Sequence, residues 1–291
     1  MTARRHASEW APVGTAWFQG LFDDAALFPP GNAAMADAVE GHLAWKASTQ
    51  AAYVGAFVCS DARWPELVKH LPTASRIKAS VTVPGGMDGL SAAVAAASDT
   101  PKATLVAVEV PLLRGQRVAA LITQLDRELP AHATGYLEVP VSEVDHALCR
   151  TLALTRHHLK LRTGGTTATA FPAEYELAAA IGNAVRSRLS FKLTAGLHHA
   201  VRHRDPVTGF EHHGFLNVLL ATSAALAGSP TSSVASILAD RNPASVAEAV
   251  RRLDVETTHS VRRQFESFGT CSIDEPLDDL TALGLIKETR P

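Results

Sequence analysis

No stretch of this 291-residue chain approaches the roughly 18 consecutive apolar residues that a membrane-crossing helix needs. An excess of positive charge is also missing. Lys and Arg total 27 against 29 Asp and Glu, for a formal net charge of −2. Nucleic-acid and anionic-membrane binders need a basic face, so the expectation is no nucleic-acid partner and no membrane. Cysteine is scarce: Cys59, Cys149 and Cys271 are odd in number, widely spaced and contain no CxxC. That opposes a disulfide framework and a zinc knuckle, and the default role is small buried hydrophobe. No signal-peptide core follows the basic start Met1–His6. Residues 1–15 read as a flexible tail, residues 16–291 as one domain, and the protein as cytoplasmic.

What is present is alternation. Short apolar runs bounded by Gly, Pro, Ser or Asp predict strands at Ala52–Val58, Ile77–Val83, Thr104–Val110, Ala133–Val139, His158–Arg162, Ser190–Ala195 and Val234–Ala239, with a first near Phe18–Asp23. Ala-rich amphipathic stretches predict the helices between them, several with start signals such as Asn242 before Pro243. Eight βα units in a chain of this length favour a (β/α)8 TIM barrel, for which about 250 residues is typical. The rival open doubly wound sheet would want a GxGxxG after its first strand, and none is there. The tail "SFGTCSIDEPLDDLTALGL" predicts an added C-terminal helix, docking through Leu277, Leu280, Leu283 and Leu285.

In such a barrel the site is built at the C-terminal strand ends. Polar residues expected there include Asp23, Asp24, Glu109, Glu138, Lys160, Arg162, Lys192, Thr194, His198, His199 and Asp240. "HLKLRTGG" and "FKLTAGL" are the unusual strands. Side chains alternate, so Lys160 and Arg162 share a face, as do Lys192 and Thr194. Leu159, Leu161, Phe191 and Leu193 suit the helix layer, which turns the cations into the lumen. A buried cation needs a partner, and Glu138 and Glu109 can supply it. Clustered cations can activate an amine as a nucleophile or hold a substrate anion.

Five of the thirteen histidines fall between His198 and His213. His198 or His199 could move protons at the mouth. His198, His199 and His213 with an acidic residue could instead hold zinc or another divalent metal, although no HExxH-type spacing is present. His157 and His158, ahead of their strand, are expected at the surface.

The two lysine strands resemble those of deoxyribose-phosphate aldolases, class I aldolase barrels. Lys160–Gly164 and Lys192–Gly196 match that family's paired Lys-x-x-x-Gly on strands six and seven. "LFDDAALFPP" and "AAYVGAFVCSDARWPEL" are similar to its opening strands, so the resemblance spans roughly residues 20–200. The resemblance implies that Lys160 forms a Schiff base, that Lys192 tunes it, and that no cofactor is required. The family's strand-four acid has Glu109 as its nearest counterpart. The family's phosphate-binding turns have no match in Leu197-His198-His199 or in "ILADRNP", and Arg162 replaces a small residue. A guanidinium pairs bidentately with carboxylate, so a small carbonyl or carboxylate compound fits better than a phosphosugar. The expectation is an aldolase-like lyase. The alternatives are a metal-dependent lyase, isomerase or hydrolase using the histidines, and a non-catalytic metabolite-binding barrel. Homo-oligomer formation stays open.

Overall fold

A computed structural model describes residues 15–287. The expected N-terminal tail lies outside the described residues, apart from Thr15, which opens a 3-10 turn, Thr15–Trp17. Eight strands follow: β1 (Phe22–Asp24), β2 (Val54–Ser60), β3 (Ile77–Thr82), β4 (Ala103–Pro111), β5 (Thr134–Val139), β6 (His158–Arg162), β7 (Phe191–Thr194) and β8 (Phe265–Thr270). They pair in parallel and close into a barrel in the order β1-β8-β7-β6-β5-β4-β3-β2. The fold is a TIM barrel.

Helices alternate with the strands as the apolar pattern requires. They are α1 (Met35–Ala47), α2 (Trp64–His70), α3 (Met87–Ser98), α4 (Val118–Glu128), α5 (His146–Ala153) and α6 (Glu174–Arg186). Between β7 and β8 come a two-residue-per-arm hairpin (His203–Arg204 with Glu211–His212) and four helices: α7 (Phe215–Leu226), α8 (Thr231–Ala239), α9 (Pro243–Arg251) and α10 (Val255–Gln264). The C-terminal helix α11 (Asp274–Ala282) docks as expected. Leu277, Leu280 and Leu285 are buried and Leu283 packs against the core. No described helix is long and apolar enough to cross a membrane.

One strand assignment is overturned. Val234–Ala239 is not the eighth strand but lies in α8. Its apolar residues are shared by two templates. Val234 and Leu238 lie one helical turn apart and both are buried, which the helix uses. Asp240 therefore caps α8, accepting from Asn242 N and Ser245 Oγ, and is not a residue of the barrel mouth. The true eighth strand, Phe265–Thr270, hides its alternation behind a bulge. Phe265 faces Phe191, but Phe268 faces Leu193, so three residues of β8 span two of β7. Aromatic packing then seals the seam: Phe268 lies 5.4 Å from Phe22 and 5.2 Å from Phe215 of α7, centroid to centroid.

His157 also departs from expectation, since it is fully buried. Gly135 leaves room for its ring. Gly135 N donates to Nδ1 at 3.2 Å, and Nε2 lies 3.0 Å from Asp126 Oδ1. His158 keeps partial exposure and pairs with Glu266 at 2.8 Å.

Candidate active site

Strand alternation places Lys160 and Lys192 side by side in the lumen, in register on β6 and β7. The apolar residues between them, Leu159, Leu161, Phe191 and Leu193, are fully buried, as their assignment to the helix layer requires. Glu109 of β4 bridges the two lysines. Its Oε2 lies 2.7 Å from Lys160 Nζ, and its Oε1 accepts from Lys192 Nζ at 2.7 Å. Oε1 also accepts from Ser80 Oγ at 2.7 Å. Lys192 donates onward to Asp23 Oδ2 at 2.6 Å, and Lys160 pairs with Glu138 Oε2 at 2.8 Å. Glu138 Oε1 accepts from Arg162 Nε at 2.8 Å. The result is a chain of alternating charge, Asp23–Lys192–Glu109–Lys160–Glu138–Arg162, running from β1 to the end of β6.

The chain is graded in exposure. The Lys160, Lys192 and Glu109 side chains are at most 4% exposed, Glu138 is 15% exposed and Arg162 is 50% exposed. The network is buried at Asp23, Lys192, Glu109 and Lys160 and opens to solvent at Glu138 and Arg162. Burial alone would raise the pKa of Glu109, but the charges and hydrogen bonds of Lys160 and Lys192 outweigh it and hold it well below the usual carboxylate range. Burial would likewise lower Lys192, and Asp23 and Glu109 reverse that, raising it above its ordinary value. Glu138 is lowered by the same balance, with Lys160 and Arg162 overcoming desolvation.

These shifts set a pH window. The contribution of Glu109 to folding is complete above its ordinary 4.5 and fades as pH falls below that value. That of Lys192 is complete below its ordinary 10.5 and fades as pH climbs past it. Urea midpoints across pH should show both losses, and a Glu109→Gln variant should lack Glu109's share of the acid limb. An acid limb identical in the variant would show that the bridge does not couple to folding.

Asp23 reaches the lumen because residue 55 is glycine. A Cβ on Gly55 would sit 2.2 Å from Asp23 Oδ1, which instead accepts from Ala56 N at 2.8 Å. Ser267 Oγ donates to Oδ2 at 2.7 Å. Asp24 points the other way. It pairs with His42 of α1 at 3.0 Å and accepts from Ala26 N, so it anchors a helix and is not brought to the lysines. Thr194 lies opposite Arg162 in register and is half-buried at the β7 end.

The paired glycines have a packing cause. The chain ends of β6 and β7 touch. A Cβ on Gly164 would lie 2.8 Å from Gly196 Cα, and one on Gly196 would lie 2.7 Å from Thr163 O. Phe171 covers both glycines, and His212 packs on Phe171 at 4.5 Å between ring centroids.

The rings of His199, His203 and His212 pack in series, at 4.7 and 5.1 Å between centroids, but His198, His199 and His213 each take a different partner. His198 Nδ1 lies 2.9 Å from Glu275 Oε2 and His199 Nδ1 lies 3.2 Å from Asp279 Oδ2, both on α11. His213 is fully buried, with Nε2 donating to Pro172 O at 2.8 Å and Nδ1 accepting from Arg202 at 3.1 Å. Burial pushes His213 down to about 4, so it is neutral near pH 7. The expected metal set His198, His199 and His213 is therefore not assembled. Among the described residues no group of three His, Cys, Asp or Glu side chains could hold a metal ion.

The part missed in the sequence is Cys271, which follows β8 and lies beside His198. With β8 unrecognised, nothing marked that cysteine as a strand-end residue. Ser80 and Ser267 were missed for want of any signal beyond alternation. Comparison with protein-family models and with curated proteins finds no match to this chain.

Proposed function

We propose that this barrel is an aldolase-like lyase acting on a small carbonyl compound that carries a carboxylate, with Lys160 as the reacting amine. The observation that supports it most is the placement of Lys160. It touches Glu109 and Glu138 at 2.7 and 2.8 Å and lies one partner away from the half-exposed Arg162. A substrate carboxylate can take the Arg162 guanidinium from Glu138. Glu138, released and less buried than Glu109, then accepts a proton from Lys160. The free amine adds to the carbonyl carbon, Glu138 returns the proton and water leaves. The iminium takes the electron pair of the bond between its α and β carbons, while Glu138 accepts the β-hydroxyl proton and the β carbon departs as a second carbonyl. Reprotonation of the resulting enamine at the α carbon and hydrolysis then free Lys160. Lys192, paired with Asp23 and Glu109, keeps its charge and holds Glu109 in place.

The test is borohydride reduction in the presence of short aldehydes and 2-oxo acids, followed by peptide mapping. One adduct on Lys160 is expected, absent in Lys160→Met. Arg162→Met should lower trapping of the oxo acids about tenfold and leave aldehydes little changed, since one charged hydrogen bond is removed. No adduct on Lys160 with any carbonyl compound would sink the Schiff-base reading.

A second reading is favoured by the completeness of the pairing. Both oxygens of Asp23, Glu109 and Glu138 are engaged. A barrel that binds an anionic metabolite at Arg162 without turning it over would raise the melting temperature with such ligands and give no adduct.

A further inference from the structure

At the C-terminal face, the segment after β8 brings a thiol against an imidazole and a carboxylate. Cys271 Sγ lies 3.7 Å from His198 Nδ1, and Glu275 Oε2 lies 2.9 Å from the same nitrogen. Thr270 Oγ1 stands 3.5 Å from it. Cys271 is partly exposed, whereas Cys59 and Cys149 are fully buried. Gly31, from the loop after β1, meets Cys271 with bare backbone. A Cβ there would lie 2.9 Å from Cys271 Cβ. The groups that face His198 include Glu275 of α11 and, from the segment after β7, His199, itself paired with Asp279, and His212. Charge at this point is therefore mixed, with the Glu275 carboxylate 2.9 Å away to keep His198 protonated.

We propose that Cys271 and His198 form an activated thiol that accepts a small-molecule disulfide and becomes a reversible mixed disulfide. This site is independent of the lysine network. The reaction class follows from what surrounds the sulfur. Disulfide exchange passes charge from one sulfur to another and needs no oxyanion hole. His198, already an imidazolium, stabilises the Cys271 thiolate formed when the thiol proton is lost to solvent, and that thiolate attacks one sulfur of the disulfide. The new S–S bond forms as the old one breaks. The electron pair leaves with the departing thiolate, which takes a proton from solvent. The net change is one protein thiol and one disulfide giving one mixed disulfide and one free thiol. Burial would lower His198, but its hydrogen bonds to Cys271 and Glu275 outweigh it and raise it to about 9, which suits a cation beside a thiolate. The other two thiols serve as internal controls. Burial pushes Cys59 up to about 12 and Cys149 up to about 11, so neither competes in the folded protein.

The experiment treats the native full chain with oxidised glutathione, and separately with Ellman's reagent, from pH 5 to pH 10. The site is read by peptide mapping. One equivalent is expected, on Cys271. Its rate at pH 7 should be about tenfold that of the same thiol in His198→Gln, because the imidazolium beside the sulfur stabilises the attacking thiolate. Ellman's reagent should show the same loss in His198→Gln as oxidised glutathione does. Equal labelling of Cys59 or Cys149 would overturn the proposal. So would a rate profile unchanged by His198→Gln. Should that variant fail to fold, the wild-type rate is compared with that of free glutathione thiol at pH 7, and a rate no greater refutes activation.

Discussion

Replacing Lys192 by methionine is expected to remove about 3–5 kcal/mol of folding stability, the range for stripping one partner from a buried ion pair. The methionine fills much of the same space, so the loss is electrostatic. Lys192 Nζ is the shared donor of Asp23 Oδ2 and Glu109 Oε1 and lies 5.2 Å from the centre of the Tyr136 ring. Without it, two buried carboxylates face each other across the lumen. Ser267, Ala56, Ser80 and Lys160 still bond them, but only Lys160 brings charge. A domain of this size is stable by roughly 5–15 kcal/mol, so the variant should unfold at a much lower urea concentration. Arg162→Met is the comparison. Its side chain is half exposed, and water screens the pair with Glu138, so the loss should stay below about 1 kcal/mol. Equal losses in the two variants would mean that burial does not grade the network.

Gly196→Ala is expected to cost about 2–4 kcal/mol, from overpacking and backbone strain together. Gly196 has φ of +73°, and its Cβ would press on Thr163 O at 2.7 Å. That strand end is bonded on both sides. Thr163 N donates to Thr194 O at 2.9 Å and Thr163 Oγ1 to Ala195 O at 2.6 Å. The backbone cannot yield without loosening the β6–β7 junction just beyond Lys160 and Arg162. Gly228→Ala separates the two causes. Gly228 has φ of +80° with nothing within 4 Å of a new Cβ, so only the conformational cost of about 1 kcal/mol applies. Urea unfolding of both variants gives the difference. A Gly196→Ala loss no greater than that of Gly228→Ala would show that the two loops do not need close approach.

The residue types and their order were enough to read a (β/α)8 barrel, because the first seven βα units carry their own periodicity and end signals within about 30 residues, whereas the eighth strand lies beyond four helices. Alternation alone turned Lys160 and Lys192 inward on neighbouring strands and put the leucines and phenylalanines behind them. It also named Glu109 and Glu138 as partners. What it could not do was place Glu109 in register. Between β3 and β4, Ala79 stands opposite Leu105 but Ser80 stands opposite Ala107, so a face counted from the start of β4 changes sides before residue 109. The same kind of bulge concealed β8, and with it Cys271. The pairings that define the site join residues far apart in the chain, such as Asp23 with Lys192, 169 positions away. Only barrel closure brings β1, β8 and β7 together. Local sequence decides which way a side chain points along its strand. The register between strands decides what it meets, and that depends on bulges, small residues and the packing of distant helices, which no short window of sequence contains.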